Sequence, residues 1–287
     1  MGYLHIDNLY KTQTILLFKK CYALEKIHGT SAHVRWQDGK VALHSGGESA
    51  ERFAALFDQV ALAEAFAGLG QDAVIVYGEA YGGKQQGMSK TYGKNLKFVA
   101  FDVKIGDSWL NVPKAVVVVD ALGLEFVHWQ AVGTDLESLD AERDALSVQS
   151  ERNGVDGEHV REGVVLRTLE EMSDNRGNRV IAKHKRAEFR ERKSIPEVDP
   201  AKQELLTKAS DIADEWVTPM RLRHVLDKLP EATEMKHIPI VVTAMVADVI
   251  READEFVVDN KVVRKAIGRK AVELYKAHVT TIPKETP

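Results

Sequence analysis

A single cysteine, Cys21, stands among 287 residues. That scarcity excludes a disulfide framework and any four-thiolate zinc site, and it fits a reducing intracellular compartment. No segment approaches the ~20 unbroken apolar residues of a membrane span, so no membrane partner is expected. The opening Met-Gly-Tyr-Leu-His-Ile lacks the charged-then-apolar stretch of a signal peptide, and Ile6 stands where a myristoylation signal needs Ser or Thr. The expectation is a soluble, cytoplasmic protein, monomeric by default. Positive charge is not in excess either: 39 Lys and Arg against 43 Asp and Glu give a formal net charge of -4. Proteins coated in positive charge, such as histones, are excluded, and any contact with a polyanion must be local. Internal repeats and low-complexity tracts are also missing. What is present is apolar material, 44% of the chain, enough for one large domain with a smaller appendage.

The first two thirds read as strands interrupted by helices. Cys21 to Lys26 is a short apolar run. Ala32 to His44 alternates around Asp38-Gly39, a dipeptide suited to a type I′ hairpin turn. From Arg52 to Ala67 the apolar residues Phe53, Leu56, Phe57, Val60, Ala63 and Phe66 recur at helical spacing, which predicts one helix packed on the sheet. Strands are predicted at Ala73 to Gly78, Phe98 to Lys104, Ser108 to Val112 and Ala115 to Val119. Thr134 and Glu137 form a capping-box pair that predicts a helix over Leu136 to Val148. Val164 to Leu169 and Arg179 to His184 read as a hairpin pair. Pro196 and Pro200 bracket a short linker at Ser194 to Pro200. Beyond it, Ala201 to Trp216, Met220 to Leu229, Ile240 to Glu255 and Asn260 to His278 have helix composition. The fold class is therefore α+β, with a domain over residues 1–194 and an all-helical C-terminal domain over residues 201–287.

The strongest local signal is Glu25-Lys26-Ile27-His28-Gly29-Thr30, a lysine at a strand end with glycine three positions on. A lysine held on rigid backbone can act as a nucleophile once it loses its proton, and the glycine lets a phosphate approach closely. Taken alone, Lys-x-x-Gly more often marks a surface lysine beside a turn. Further elements follow in order: Tyr77-Gly78-Glu79, Phe101-Asp102-Val103, Glu162-Gly163-Val164-Val165-Leu166 and Lys183-His184-Lys185. Phe101 and Val165 have a bland reading as core packing, and Lys183 and Lys185 as a solvated basic stripe. Basic residues concentrate at Arg176 to Lys193, eight against two acidic, a patch suited to phosphate recognition.

This ordered set resembles the covalent nucleotidyltransferase superfamily of ATP-dependent ligases and RNA capping enzymes. Glu-Lys-Ile-His-Gly-Thr, where DNA ligases typically carry Asp before the glycine, is similar to the RNA ligase 2 branch, which includes phage enzymes, so a phage origin is compatible. The resemblance covers roughly residues 20 to 190 and implies a nucleotidyltransferase (ATP-grasp-like ligase) domain of antiparallel sheets with helices. It implies that Lys26 attacks the α-phosphorus of ATP to form a lysyl-N-AMP. Glu79 would accept a ribose hydroxyl, while Phe101 and Val165 would enclose adenine. Lys183 and Lys185 would lower the proton affinity of Lys26 and neutralise phosphate charge. Glu162 would hold magnesium or manganese, and Glu25 and Asp102 would be adenine-site or supporting residues. The implied partner is RNA, nicked duplex favoured. Two departures concern phosphate handling: Ser31 stands where the branch commonly has asparagine, and His44-Ser45-Gly46-Gly47 where it has an arginine. Arg35 and Arg52 are candidates to substitute.

Competing signals are weaker. Gly78 to Lys84 spells G-x-x-x-x-G-K, but Gln85 replaces the Ser or Thr of a P-loop, and a mobile glycine-rich loop beside the pocket is the preferred reading. His28 and His33 lack the partners of a zinc set. In the last helix Lys261, Arg264, Lys265 and Arg269 share one face, and Val263, Ile267, Ala271 and Leu274 another, an amphipathic helix first and an RNA surface second. A small DNA ligase or capping-type enzyme is the nearest enzymatic alternative, although those usually end in a β-barrel domain, and NAD is a less expected donor than ATP. A noncatalytic RNA-binding protein of the same fold is the alternative from another class.

Overall fold

The computed structural model describes residues 2–174, 176–189, 200–253 and 257–281. The chain divides into two compact units, Met1–Ile15 with Lys20–Ile195, and Leu16–Lys19 with Pro196–Pro287. In the first unit the strands are β1 (Lys20–Glu25), β2 (Thr30–Gln37), β3 (Lys40–Ser45), β4 (Ala73–Gly82), β5 (Leu96–Ile105), β6 (Ser108–Trp109), β7 (Trp129–Gly133), β8 (Gly163–Thr168) and β9 (Ile181–Lys185). They form two antiparallel sheets, ordered β7-β1-β8-β9 and β3-β2-β4-β5-β6. The β2–β3 turn is the expected one, with Asp38 and Gly39 both at positive φ (51° and 74°).

Alternation along the five-stranded sheet decides what each face does. Val34 and Trp36 on β2, Val74 and Val76 on β4, and Val99 and Val103 on β5 are buried in one hydrophobic cluster. The helices α1 (Ala50–Ala54), α2 (Gln59–Gly68), α3 (Ser89–Tyr92), α4 (Val112–Ala121), α5 (Leu136–Asp144) and α6 (Val148–Arg152) complete this unit. Leu62 and Phe66 of α2 and Val112, Ala115 and Val119 of α4 join that same cluster, and the Trp36 ring stacks on Phe66 at 5.8 Å. His33, Arg35, Tyr77 and Asp102 take the alternate positions on the other face.

Several expected elements differ from those observed. Arg52 to Ala67 is two helices, because the Asp58 carboxylate accepts from the amides of Val60 and Ala61 and starts α2 afresh. Ala115 to Val119 is helix: Asn111 caps α4 through the Lys114 amide, Pro113 sits in the first turn, and the valines bury at positions 112 and 119 with Ala115. Only Ser108–Trp109 of the strand expected through Val112 forms. The cap of α5 is Asp135, bonded to the Ser138 amide, in place of the Thr134–Glu137 box. That helix stops at Asp144 because Leu146 bridges Val160 and its carbonyl accepts from Arg161. Strand β7 was not anticipated. Gly78 to Gly82 continues strand β4, so the G-x-x-x-x-G-K stretch has no strand–loop–helix geometry and is not a glycine-rich loop over most of its length.

The second unit contains α7 (Pro200–Trp216), α8 (Pro219–Asp227), α9 (Ile238–Glu252) and α10 (Lys261–Thr281). Most of the Ser194 to Pro200 linker lies outside the described residues. On α10, Val263, Ile267 and Ala271 are buried as expected, joined by Tyr275, whose hydroxyl donates to the Glu234 carbonyl. Gly268 lets α10 approach α9, since a Cβ there would lie 3.2 Å from Val242. Of the basic face, Arg264 pairs with Asp259 and Arg269 lies over the Phe18 ring. Lys19 also pairs within this unit, with Asp214 at 3.0 Å.

The cap at Asn111 yields a direct expectation. Asn111→Ala removes the only side-chain acceptor of the first turn of α4 and should cost about 1 kcal/mol. A lower urea midpoint with an unchanged denaturant slope is the expected result in equilibrium unfolding.

Candidate active site

Strand β1 buries Cys21, Ala23, Leu24 and Glu25 and delivers Lys26 one residue past its end. The Lys26 amide donates to the Gly163 carbonyl at 3.0 Å, so the lysine is still fastened to the start of β8. Gly29 then turns the chain against β4. Its amide donates to Glu79 Oε1 at 3.2 Å, and a Cβ at this position would lie 2.4 Å from the Ala80 carbonyl oxygen. The glycine of Lys-x-x-Gly is thus required for protein packing, a reason additional to phosphate access.

Glu162 is the centre of the polar arrangement. It is 1% exposed, immediately before β8. Its Oε2 lies 3.0 Å from Lys26 Nζ and 3.0 Å from His28 Nδ1, and its Oε1 lies 2.8 Å from Lys185 Nζ. Burial alone would raise its pKa; the His28 hydrogen bond and the Lys26 and Lys185 charges outweigh burial and hold it at about 2. Glu79 is the opposite case: burial pushes it up to about 7 against the pull of Lys26. Two neighbouring carboxyls are therefore shifted in opposite directions.

A cavity of about 260 Å³ opens beside Lys26. Of the residues predicted from sequence, Glu25, Lys26, Glu79, Phe101 and Val165 line it. Lys183 lies directly across from Val165 in the β8–β9 register and so shares its face, and Lys185 pairs across from Gly163. Glu25 turns its carboxylate away from the opening: it accepts from Ser147 Oγ at 2.6 Å and from the Gln149 amide at 3.2 Å, and burial raises its pKa. Ser31 also lines the cavity.

Sequence reasoning missed the N-terminal strap and the arginines. Tyr3, Leu4, Ile6 and Arg167 line the same cavity. The Tyr3 ring meets Phe101 edge-on at 4.9 Å, and its hydroxyl donates to Asp102 Oδ2 at 2.6 Å. Asp102, fully buried, is clamped by Arg167 at 3.0 Å and Arg179 at 2.6 Å, and Glu171 binds both arginines from the other side. Arg179 stacks over Trp109 at 4.1 Å. Asp102 therefore supports the wall that carries Phe101. The expected Arg176 to Lys193 patch is correspondingly not one solvated stripe. Arg179 is held by Asp102 and Glu171, Lys185 serves Glu162, Arg186 pairs with Glu188, and residues 190 to 193 lie outside the described residues.

Among the described residues no three His, Cys, Asp or Glu side chains converge as a ligand set. Glu162 with hydrated coordination is what these donors fit, as magnesium and manganese tolerate when phosphates supply further oxygens.

The profile of the RNA ligase family matches residues 19–185, more than half of the chain and all of it from β1 to Lys185. The chain belongs to the RNA ligase family. Solved structures similar to this RNA ligase family member include a Naegleria gruberi RNA ligase with PPi, at 16% identity and a TM-score of 0.51, covering 66% of this chain and 57% of that one. A lysine-to-alanine mutant of that ligase with ATP and Mn matches at 15% identity and a TM-score of 0.52, again covering 66% and 57%. The chain spans somewhat over half the length of those ligases, and at this identity the likeness is one of fold. The expected α+β nucleotidyltransferase fold is thereby established. No curated protein sequence matches.

The Glu162 cluster makes a prediction about acid stability. A carboxyl whose folded pKa is depressed stabilises the fold above its unfolded pKa, near 4.5, and loses that contribution as pH falls toward about 2. The stability difference between wild type and Glu162→Gln should accordingly be largest above pH ~5 and shrink steadily below it. Urea titrations of both proteins across that range test this, and a difference that is flat with pH would contradict the assigned ion pairs.

Proposed function

We propose that this chain is an ATP-dependent, AMP-forming RNA ligase that joins 3′-hydroxyl and 5′-phosphate ends through a lysyl-N-AMP on Lys26. The observation that carries the proposal is the Lys26 ammonium, 3.0 Å from buried Glu162 and lining a cavity that also presents Glu79, Phe101 and Val165. In the first step the Lys26 nitrogen forms a bond to the α-phosphorus of ATP, and the bond to pyrophosphate breaks. The AMP then passes to an RNA 5′-phosphate, and attack by a 3′-hydroxyl releases it.

Each residue has a defined task in this scheme. Phe101 and Val165 flank the adenine, and Glu79 pairs with a ribose hydroxyl, accepting when ionised and donating when protonated. Lys183 and Lys185 meet the phosphates. Lys26 attacks only as a free amine, so its ion pair with Glu162 must open and its proton must leave before the N–P bond forms. Glu162 is the residue that would hold a divalent ion, as the solved relatives carry Mn with ATP; such an ion supplies charge neutralisation at the phosphates. Residues 1–194 are assigned the nucleotide chemistry and residues 201–287 a share of RNA binding. Nicked duplex RNA is the proposed substrate, because an A-form duplex offers its phosphates and 2′-hydroxyls as a shape. The DNA ligase or capping alternative gains nothing from the second unit, whose regular elements among the described residues are helices.

Wild-type protein incubated with α-labelled ATP and a divalent cation should acquire one AMP, and Lys26→Ala should acquire none. Lys26→Arg should fail as well, since a guanidinium stays protonated. Label on the alanine variant sinks the assignment. On matched nicked duplexes, deoxyribose on the 3′-hydroxyl side should slow sealing more than on the 5′-phosphate side; equal rates, or faster joining of single strands, would reject the substrate preference.

A further inference from the structure

The face of the five-stranded sheet that presents Ser31 and Glu79 to the cavity continues beyond it. With side chains alternating along each strand, His33 and Arg35 follow Ser31 on that face of β2, and Tyr77 precedes Glu79 on that face of β4. His33 lies directly across from His44 of β3 on one side and from Tyr77 on the other. The two imidazoles are 5.0 Å apart at 35°, and His33 meets the Tyr77 ring at 5.9 Å. Tyr77 in turn contacts Tyr3 at 5.1 Å, and Tyr3 lines the cavity. An unbroken row of rings therefore runs from the cavity wall to His44.

The row ends in exposed basic groups. His44 and Arg35 are exposed, and His33 is nearly covered. The groups facing the pair are Arg35 on β2 and Tyr77 on β4, and beyond Tyr77 the carboxylate of Asp102, already held by Arg167, Arg179 and Tyr3. No carboxylate across the strands answers His44 or Arg35 among the described residues. On a chain of net charge -4, the His33–His44 pair lies one two-residue repeat, about 7 Å, from the cavity residue Ser31, and the exposed guanidinium of Arg35 lies one repeat further along the same face. A polyanion entering the cavity by its end would lay its backbone here.

We propose that His44, backed by His33 and flanked by Arg35, is a subsite for a backbone phosphate of the RNA strand whose end enters the cavity. This rests on the RNA-joining function proposed above and adds residues outside the nucleotide pocket to it. Burial, together with positive charges that include His44 and Arg35, lowers His33 to about 4. His33 is therefore a neutral hydrogen-bonding ring at ordinary pH, and His44 is the exposed member of the pair, the one an arriving phosphate would meet.

The test is binding of a fluorescent nicked RNA duplex to the full-length protein by anisotropy between about pH 6 and 8, with lysyl-adenylate yield measured in parallel. His44→Ala should weaken RNA binding roughly tenfold at the acidic end and leave adenylate yield unchanged. Arg35→Ala should weaken binding across the whole range and flatten its salt dependence. His44→Arg should keep tight binding and remove the pH dependence. RNA binding unchanged in both alanine variants overturns the subsite, as does a fall in adenylate yield in His44→Ala, which would assign the residue to the nucleotide pocket. A wild-type protein that binds RNA through His44 but forms no adenylate would instead sink the proposed function and leave the subsite standing.

Discussion

One buried carboxylate ties the candidate active site together. Glu162 is shared by an ammonium at the end of β1, an imidazole two residues later and an ammonium at the end of β9. A carboxylate taken out of water is costly unless its lone pairs are met, and three cationic or hydrogen-bonding partners meet them here. The geometry demands that β1, β8 and β9 hold a fixed register, because a slip of one residue would turn Lys26 or Lys185 to the opposite face. Gly163 serves the same end: at φ 149° it lets β8 lie against the His184 carbonyl, where a Cβ would come within 2.1 Å.

A second buried carboxylate does the structural counterpart of this work. Asp102 gathers Arg167, Arg179 and Tyr3, and through Tyr3 it brings the N-terminal strap to the cavity wall. Neutralisation by two arginines explains how a carboxylate beside Phe101 is tolerated in an apolar surround. Removing either arginine would leave a buried charge short of a partner.

What was legible in the sequence follows from the range of each interaction. The Asp38-Gly39 hairpin was legible because two positive φ values are required there and few residues supply them. Lys26, Glu79, Phe101 and Val165 were legible through short motifs, and the structure gathers them around one cavity. The valines of α4 were read as strand because β-branched runs favour strands, while the deciding information was Asn111 and Pro113 before them. His28 drew attention only as half of an incomplete zinc pair, yet it contacts Glu162. Tyr3, Arg167 and Arg179 were illegible for a different reason: their shared partner is Asp102, and no local pattern links positions 3, 102, 167 and 179.

Leu16–Lys19 belongs with the helices although it lies between the N-terminal strap and β1. The helical unit is consequently assembled from both ends of the chain, with Lys19 meeting Asp211 and Asp214. During synthesis Leu16–Lys19 therefore emerges before its partners Asp211 and Asp214, with every strand of the first unit in between. Closing so long a loop is a late and entropically costly event, so this unit is completed only after the whole intervening unit has been made.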